Sequence, residues 1–155
     1  MPTRRVYVDT SVIGGCLDDE FAADSKRLIE EAAQGRLILL LSDIVIRELE
    51  GAPAEVQGIL AGLPTEAVSA VPITSDVEAL RDAYLLAGVL GTSSVSDATH
   101  VAAATVARAD AIVSWNFRHI VNLDKIKGYN AVNLTRGYGL LVIVTPREVI
   151  SRDTD

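Results

Sequence analysis

The sequence predicts an α/β fold in which a mostly parallel sheet is covered by helices on both faces. Three observations carry that expectation. Short apolar runs alternate with helical patterns along the chain, the arrangement that builds strand–helix–strand units. One run, Leu37 to Leu41, is apolar at every position, as a strand buried on both faces requires. Helix-start signals, a hydroxyl or a proline followed by an acid, recur just after candidate strands.

Taken in order, Arg5 to Val8 reads as a short strand and Phe21 to Gln34 as a helix stopped by Gly35. Leu37 to Leu41 is the second strand. Ser42 is placed to cap a helix from Asp43 to Glu50, and Pro53 opens another to about Gly62. Val71 to Ile73 is a candidate third strand, and Ser75 with Glu78 has capping-box spacing ahead of a helix from Asp76 to about Ala87. Ser94 and Asp97 open an alanine-rich helix that ends near Arg108. Ala111 to Ser114 and Leu140 to Val144 supply the last strands. Thr145, Pro146 and Glu148 combine an N-cap, a first-turn proline and a capping-box acid, the strongest local signal in the chain.

The length of 155 residues, with no repeat or Pro/Gly/Ser-rich linker, fits one domain over residues 1–150 with a short C-terminal tail at 151–155. A hydrophobic share of 49%, a charged share of 23% and a mean hydropathy of +0.29 exclude intrinsic disorder. The longest apolar region is broken at Ser42 and Asp43, far short of the ~18 residues of a membrane span. Asp9 interrupts the N-terminal apolar stretch, so no export signal is expected. Cys16 is the single cysteine; it excludes an internal disulfide and a multi-cysteine zinc site, and fits a cytoplasmic protein.

The net charge of −7 argues at first against a nucleic-acid partner, because phosphate binding is driven by Lys and Arg. The charge is uneven. Residues 1–78 carry 14 acidic and 6 basic side chains, whereas residues 79–155 carry 7 and 8.

In open parallel sheets ligands bind beyond the carboxyl ends of the strands, so polar residues just after strands are the candidates. Asp9 follows the first strand and Asn116 the fourth; Asp97 starts a helix, and Glu48 lies between one and two turns into the helix after the second strand. Carboxylates gathered there repel by roughly 4 kcal/mol per pair at about 4 Å and an effective dielectric near 20, so they protonate or share a cation. Oxygen ligands without cysteine or a histidine pair suit Mg²⁺ or Mn²⁺, which activate water and stabilise phosphoryl charge. The residues thus point to a metal-dependent phosphodiesterase or phosphatase.

Each candidate also has a structural reading. Asp9 can be a turn or cap residue, Asp97 a helix-start charge, and Glu48 one solvated acid among its helix neighbours Asp43 and Glu50. Asn116 alone favours a turn. His100 and His119 read as packed or supporting histidines rather than ligands. Trp115 reads as core or cleft wall, and Cys16 as a loop thiol.

The order of four segments resembles the PIN-domain family, especially the toxin ribonucleases of VapBC toxin–antitoxin systems. These segments are VYVDTSVIGG (6–15), LSDIVIRELEGA (41–52), SVSDATHVAAA (94–104) and ADAIVSWNFRHI (109–120). The resemblance implies a three-layer α/β sandwich and an acidic Mg²⁺ or Mn²⁺ site for endonucleolytic RNA cleavage. Asp9, Glu48 and Asp97 match the family's acids, and Thr10 and Ser11 its hydroxyls after the first aspartate. Asn116 stands where many members have a fourth acid. It removes one negative charge and implies weaker metal binding, or one tightly held ion rather than two.

On this reading Asp9, Asp97 and Asn116 position the ion, and Glu48 completes its shell or accepts a proton from the attacking water. The alternative is a degenerate PIN domain that binds RNA or protein without cutting. A haloacid-dehalogenase-type phosphatase needs a second acid two residues after the first, where Ser11 stands. The family resemblance further implies a cognate antitoxin and a homodimer. The segment from Arg108 to Arg136 holds five basic residues against two acids, so RNA is expected to enter along it through Arg118, Lys125 and Lys127.

Overall fold

The computed structural model describes residues 3–150 of the chain; the expected tail at 151–155 lies outside the described residues. Five strands form one sheet: β1 (Arg4–Val8), β2 (Leu37–Ser42), β3 (Val68–Val71), β4 (Ala111–Val113) and β5 (Ile143–Val144). Their spatial order is β3-β2-β1-β4-β5, and every neighbouring pair is parallel. The sheet is therefore wholly rather than mostly parallel.

The alternation of side chains explains why both faces are apolar. Val6 and Val8 point to one side of β1 and Tyr7 to the other, and in β2 Leu39 and Leu41 oppose Leu40. The first face is covered by α1 (Thr10–Gly14), α2 (Ala22–Ala33), α3 (Asp43–Glu50), α4 (Ala54–Ala61) and α8 (Pro146–Val149). These helices bring Ile13, Leu28, Val45, Val56 and Val149 onto the sheet. The second face is covered by α5 (Ser75–Leu86), α6 (Val95–Val106) and α7 (Leu123–Thr135), which bring Leu80, Tyr84, Val101 and Tyr129. Among the described residues no helix is long and apolar enough to cross a membrane.

Most elements lie where the sequence predicts them, and the exceptions have local causes. The third strand is Val68–Val71 rather than Val71–Ile73: Pro72 has no N–H to extend the ladder, and Leu39 pairs with Val68. Thr74, not Ser75, caps α5, because it has the extended backbone (φ −89°, ψ 173°) and its hydroxyl accepts from Val77 N at 3.3 Å. Ser94 is the N-cap of α6 without a side-chain bond. The last strand shrinks to Ile143–Val144, with Leu140 71% exposed. At Thr145 the predicted box forms: its N–H donates to Glu148 Oε2 at 2.9 Å, and its hydroxyl donates to the same carboxylate.

Two helices escape the periodic pattern. At five residues, α1 is too short to show one. The other, α7, fully buries only Tyr129 and Asn133, with Ile126 and Val132 partly buried beside them, so its apolar face is thin and interrupted by asparagines. Gly128 within it admits Val89: a Cβ there would stand 2.9 Å from Val89 Cγ1.

Candidate functional site

Strand order reverses between β1 and β4, which opens a crevice beyond their carboxyl ends. Asp9 leaves β1 there as the N-cap of α1, with an extended backbone (φ −89°, ψ 176°) and 4% exposure. Its two carboxylate oxygens are clasped separately. Ser11 Oγ donates to Oδ1 and Ser114 Oγ, just past β4, donates to Oδ2, both at 2.6 Å. The serines are themselves fixed by the next turn, since Trp115 N donates to Ser11 Oγ and Asn116 N to Ser114 Oγ, each at 2.9 Å. Burial pushes the Asp9 carboxyl up, and the two serine bonds offset part of that rise.

Glu48 reaches the crevice from α3 with its side chain 41% exposed. Its Oε1 meets His100 Nε2 at 2.9 Å. His100 Nδ1 lies 2.8 Å from the Tyr7 hydroxyl, which lies 2.7 Å from Ser42 Oγ, the N-cap of α3. One proton arrangement satisfies the whole row: Ser42 donates to Tyr7, Tyr7 to His100, and His100 to Glu48. The His100 bond holds the Glu48 carboxyl below its ordinary range, and burial pushes the Tyr7 phenol up. Thr10 Oγ1 is buried without a hydrogen-bond partner, yet it faces Glu48 closely enough to help hold that carboxyl down.

Asp97, in the first turn of α6, pairs with the other histidine: Oδ2 lies 2.9 Å from His119 Nδ1, and both side chains are about one-quarter exposed (24% and 29%). Tyr129 of α7 donates to the His119 carbonyl at 2.7 Å, so the unanticipated helix braces the site. Asp97 and His100 are three residues apart on one helix and therefore share a face.

A continuous row of bonds thus joins Asp9, Ser114, Asn116, His119 and Asp97. Glu48 stands at the end of a second row, and its partner His100 is near enough to act electrostatically on Asp9. The four predicted residues do not converge as one acidic knot. Among the described residues, no three or more His, Cys, Asp or Glu side chains are grouped so as to hold a metal ion together.

Asn116 has the structural role that its residue type alone favours. Its Oδ1 accepts from the backbone N–H groups of Arg118 (3.2 Å) and His119 (2.9 Å), while its carbonyl accepts from Ile120 (3.2 Å) and Val121 (2.8 Å). Those bonds fix the amide orientation and leave an NH₂ as its free end. An aspartate could cap the same turn with one oxygen and offer the other to a cation; asparagine cannot.

The donor set still suits one hard ion. Mg²⁺ characteristically takes one or two carboxylates and keeps waters or substrate phosphate oxygens for the rest. Asp9 has free lone pairs on both oxygens, and the unsatisfied Thr10 hydroxyl adds a neutral oxygen nearby in the chain.

The aromatic wall beside the site is built by Trp115, which stacks on Phe21 (centroids 4.3 Å apart, planes at 17°) and donates from Nε1 to Ser25 Oγ at 2.8 Å. Gly15 permits this packing, because a Cβ there would lie 2.7 Å from Ser25 Oγ and 2.9 Å from Trp115 Nε1. Of the predicted RNA contacts, Arg118 and Lys127 are exposed, whereas Lys125 donates to the Val89 carbonyl at 2.8 Å. Sequence reasoning missed the parts that Ser114 and Tyr7 play at the site, and read Ser42 only as a helix cap. A hydroxyl ending each of two apolar strands and a lone tyrosine within the first were the available signals.

Comparison with protein-family models and with curated proteins found no match. Among solved structures, the chain is similar to VapC20 of Mycobacterium tuberculosis, described as a sarcin–ricin loop cleaving toxin. The TM-score is 0.55 at 21% identity, over 74% of this chain and 92% of that one. The likeness is one of fold: an all-parallel α/β sheet with helices on both faces, consistent with the PIN-like architecture that the sequence resembles.

Proposed function

We propose that the protein is an endoribonuclease that hydrolyses RNA phosphodiester bonds with the aid of Mg²⁺ or Mn²⁺, and that it is the toxin of a toxin–antitoxin pair. The observation that carries this reading is the buried Asp9 carboxylate, clasped by Ser11 and Ser114 at the sheet's switch point. The fold shared with a toxin described as cleaving the sarcin–ricin loop supports it.

Asp9 and Thr10 would hold the ion, with Asp97 the nearest further carboxylate along the bonded row. A bound Mg²⁺ or Mn²⁺ supplies a more acidic water and shields the scissile phosphate. Ser11 and Ser114 keep the Asp9 oxygens aimed and its charge compensated. Glu48, whose carboxyl is held low by His100, stays ionised at neutral pH and is a weak base; its position favours orienting the attacking water over taking its proton. His119 fixes the Asp97 rotamer through Nδ1. Asn116 shapes the turn rather than ligating the ion, which fits one ion better than two.

The test is cleavage of structured RNAs by the purified protein, with and without Mg²⁺ or Mn²⁺. Loss of cleavage in Asp9→Asn and Asp97→Asn is expected, and undiminished cleavage by either refutes the assignment. A second reading, a PIN-like module that binds without cutting, is favoured by the dispersed acids and the engaged Asn116 oxygen. It predicts RNA or protein binding without metal dependence. A cognate antitoxin and a homodimer belong to the toxin reading; an adjacent small reading frame, whose product copurifies and blocks cleavage, tests the first, and sedimentation tests the second.

A further inference from the structure

Beyond the acids, the turn after β4 carries a feature that the hydrolytic reading does not use. Phe117 is 50% exposed, although it follows the buried Trp115 by two residues. Its ring leans on the stacked Phe21–Trp115 pair, with centroids 6.2 and 6.3 Å away and planes tilted by 48° and 57°. The ring is thus braced by the aromatic wall while half of the residue stays open to solvent.

The ring's mounting is fixed. Asn116 ties the turn with bonds to residues 118–121, and Asn122 Nδ2 reaches the Phe117 carbonyl at 3.5 Å. The same Asn116 connects through Ser114 to Asp9. Beside the ring, Arg118 is exposed, and its guanidinium makes no hydrogen bond or ion pair among the described residues.

We propose that Phe117 is the stacking platform for an unpaired nucleobase next to the scissile phosphate, with Arg118 contacting the neighbouring phosphate. This rests on the ribonuclease reading and names how that site selects its substrate. A rigid aromatic face with an adjacent free cation is the combination by which proteins hold single-stranded RNA, because every base offers a π-face. Asn116 and Arg118 flank the ring in sequence with polar groups that can meet a base edge and a phosphate, which favours a nucleotide over an apolar protein helix. Phe117 is a positioning residue: it selects unpaired over duplex RNA at the cut and does no chemistry.

Trp115 is the single tryptophan and touches this ring, so its fluorescence reports on the platform. The probes are a mixed-sequence octaribonucleotide and a fully abasic ribose-phosphate octamer, titrated in EDTA. The parent protein is expected to bind the octaribonucleotide more tightly, with a change in Trp115 emission. Phe117→Ala is expected to weaken that binding about 5- to 150-fold and to leave the abasic octamer unaffected, while Phe117→Tyr restores affinity and Arg118→Gln weakens both probes. Undiminished octaribonucleotide binding by Phe117→Ala, or an equal loss for the abasic chain, overturns the platform and leaves the ribonuclease reading standing. A parent protein that neither binds the octamer nor cleaves RNA overturns both.

Discussion

Replacing Asp9 by Asn should stabilise the metal-free fold and abolish its response to Mg²⁺. The carboxylate is 4% exposed, and burial is the largest influence on it, raising its folded pKa above the unfolded value. A carboxyl raised on folding contributes stability below its unfolded pKa and loses it as pH rises through the folded one. Above that folded value the ionised Asp9 is therefore a net cost, offset only in part by the two serine bonds. The isosteric amide removes the charge, keeps one acceptor for Ser11, and can donate to Ser114 Oγ. In EDTA, Asp9→Asn should melt above the parent at pH 7.5, with the gap narrowing as pH falls through the raised folded value toward the ordinary carboxylate range. Mg²⁺ reverses the order, because a ligand at 100 times its Kd stabilises by about 2.7 kcal/mol, roughly 5–11 °C for a chain of this size. Differential scanning fluorimetry of both proteins, with EDTA and across a Mg²⁺ series, provides the comparison. A parent melting point indifferent to Mg²⁺, with the Asp9→Asn variant no more stable in EDTA, refutes both the burial argument and the ion site.

Two further substitutions test the supporting structure. His100→Ala removes the bonds to Tyr7 and to Glu48; with Glu48 half-exposed and screened, the loss should be about 2–3 kcal/mol, read as a lower urea midpoint at unchanged m-value. Arg108 ends α6 in the left-handed region (φ 56°), where its N–H bonds to Thr105 O and the next to Ala104 O, both at 3.0 Å. Glycine relieves roughly 1–2 kcal/mol of strain there and loses part of it to unfolded-chain freedom. Arg108→Gly should gain about 0.5–1 kcal/mol by the same measurement, and a loss would assign the arginine side chain a structural task.

The legible parts of the fold are those where burial leaves a strong pattern. Leu37 to Leu41 must be a two-sided strand because no face of it tolerates water, and Thr145-Pro146-Glu148 must open a helix because each residue supplies one part of the cap. The partner of each acid was not legible. That Asp97 meets His119 and Glu48 meets His100 depends on how α6 lies against β4 and α3, a tertiary fact with no local spacing. Asn116 shows the limit most clearly: its place after β4 makes it a ligand candidate, while its amide oxygen is consumed by the turn that it builds. Likewise α7 packs through Tyr129 and Asn133 flanked by the partly buried Ile126 and Val132, a face too thin and too polar for periodicity to reveal.

The fold also changes what the charge pattern implies for RNA. The five cations between Arg108 and Arg136 do not form one path. Arg108 precedes β4, beside the start of β1 where Asp110 N bonds Arg5 O, and Arg136 follows the end of α7, where Asn133 meets Thr105. Both therefore lie at the end of the sheet away from Asp9. Lys125 is committed to the Val89 carbonyl, which leaves Arg118 and Lys127 as the segment's remaining exposed cations. Two phosphate contacts on a single strand give a slope of about −1.4 for log affinity against log salt, roughly a sevenfold loss between 50 and 200 mM. A protein that grips six or seven phosphates, all that the octamer offers, has a slope of about −4 to −5 and loses roughly 300- to 900-fold over that range. Titrating the octaribonucleotide across that interval distinguishes the two, and a slope steeper than about −3 would show that basic residues elsewhere carry the RNA. A shallow slope is what the proposed platform predicts: in a molecule with a net charge of −7, stacking on Phe117 would supply the affinity that few phosphate contacts cannot, and salt does not screen it.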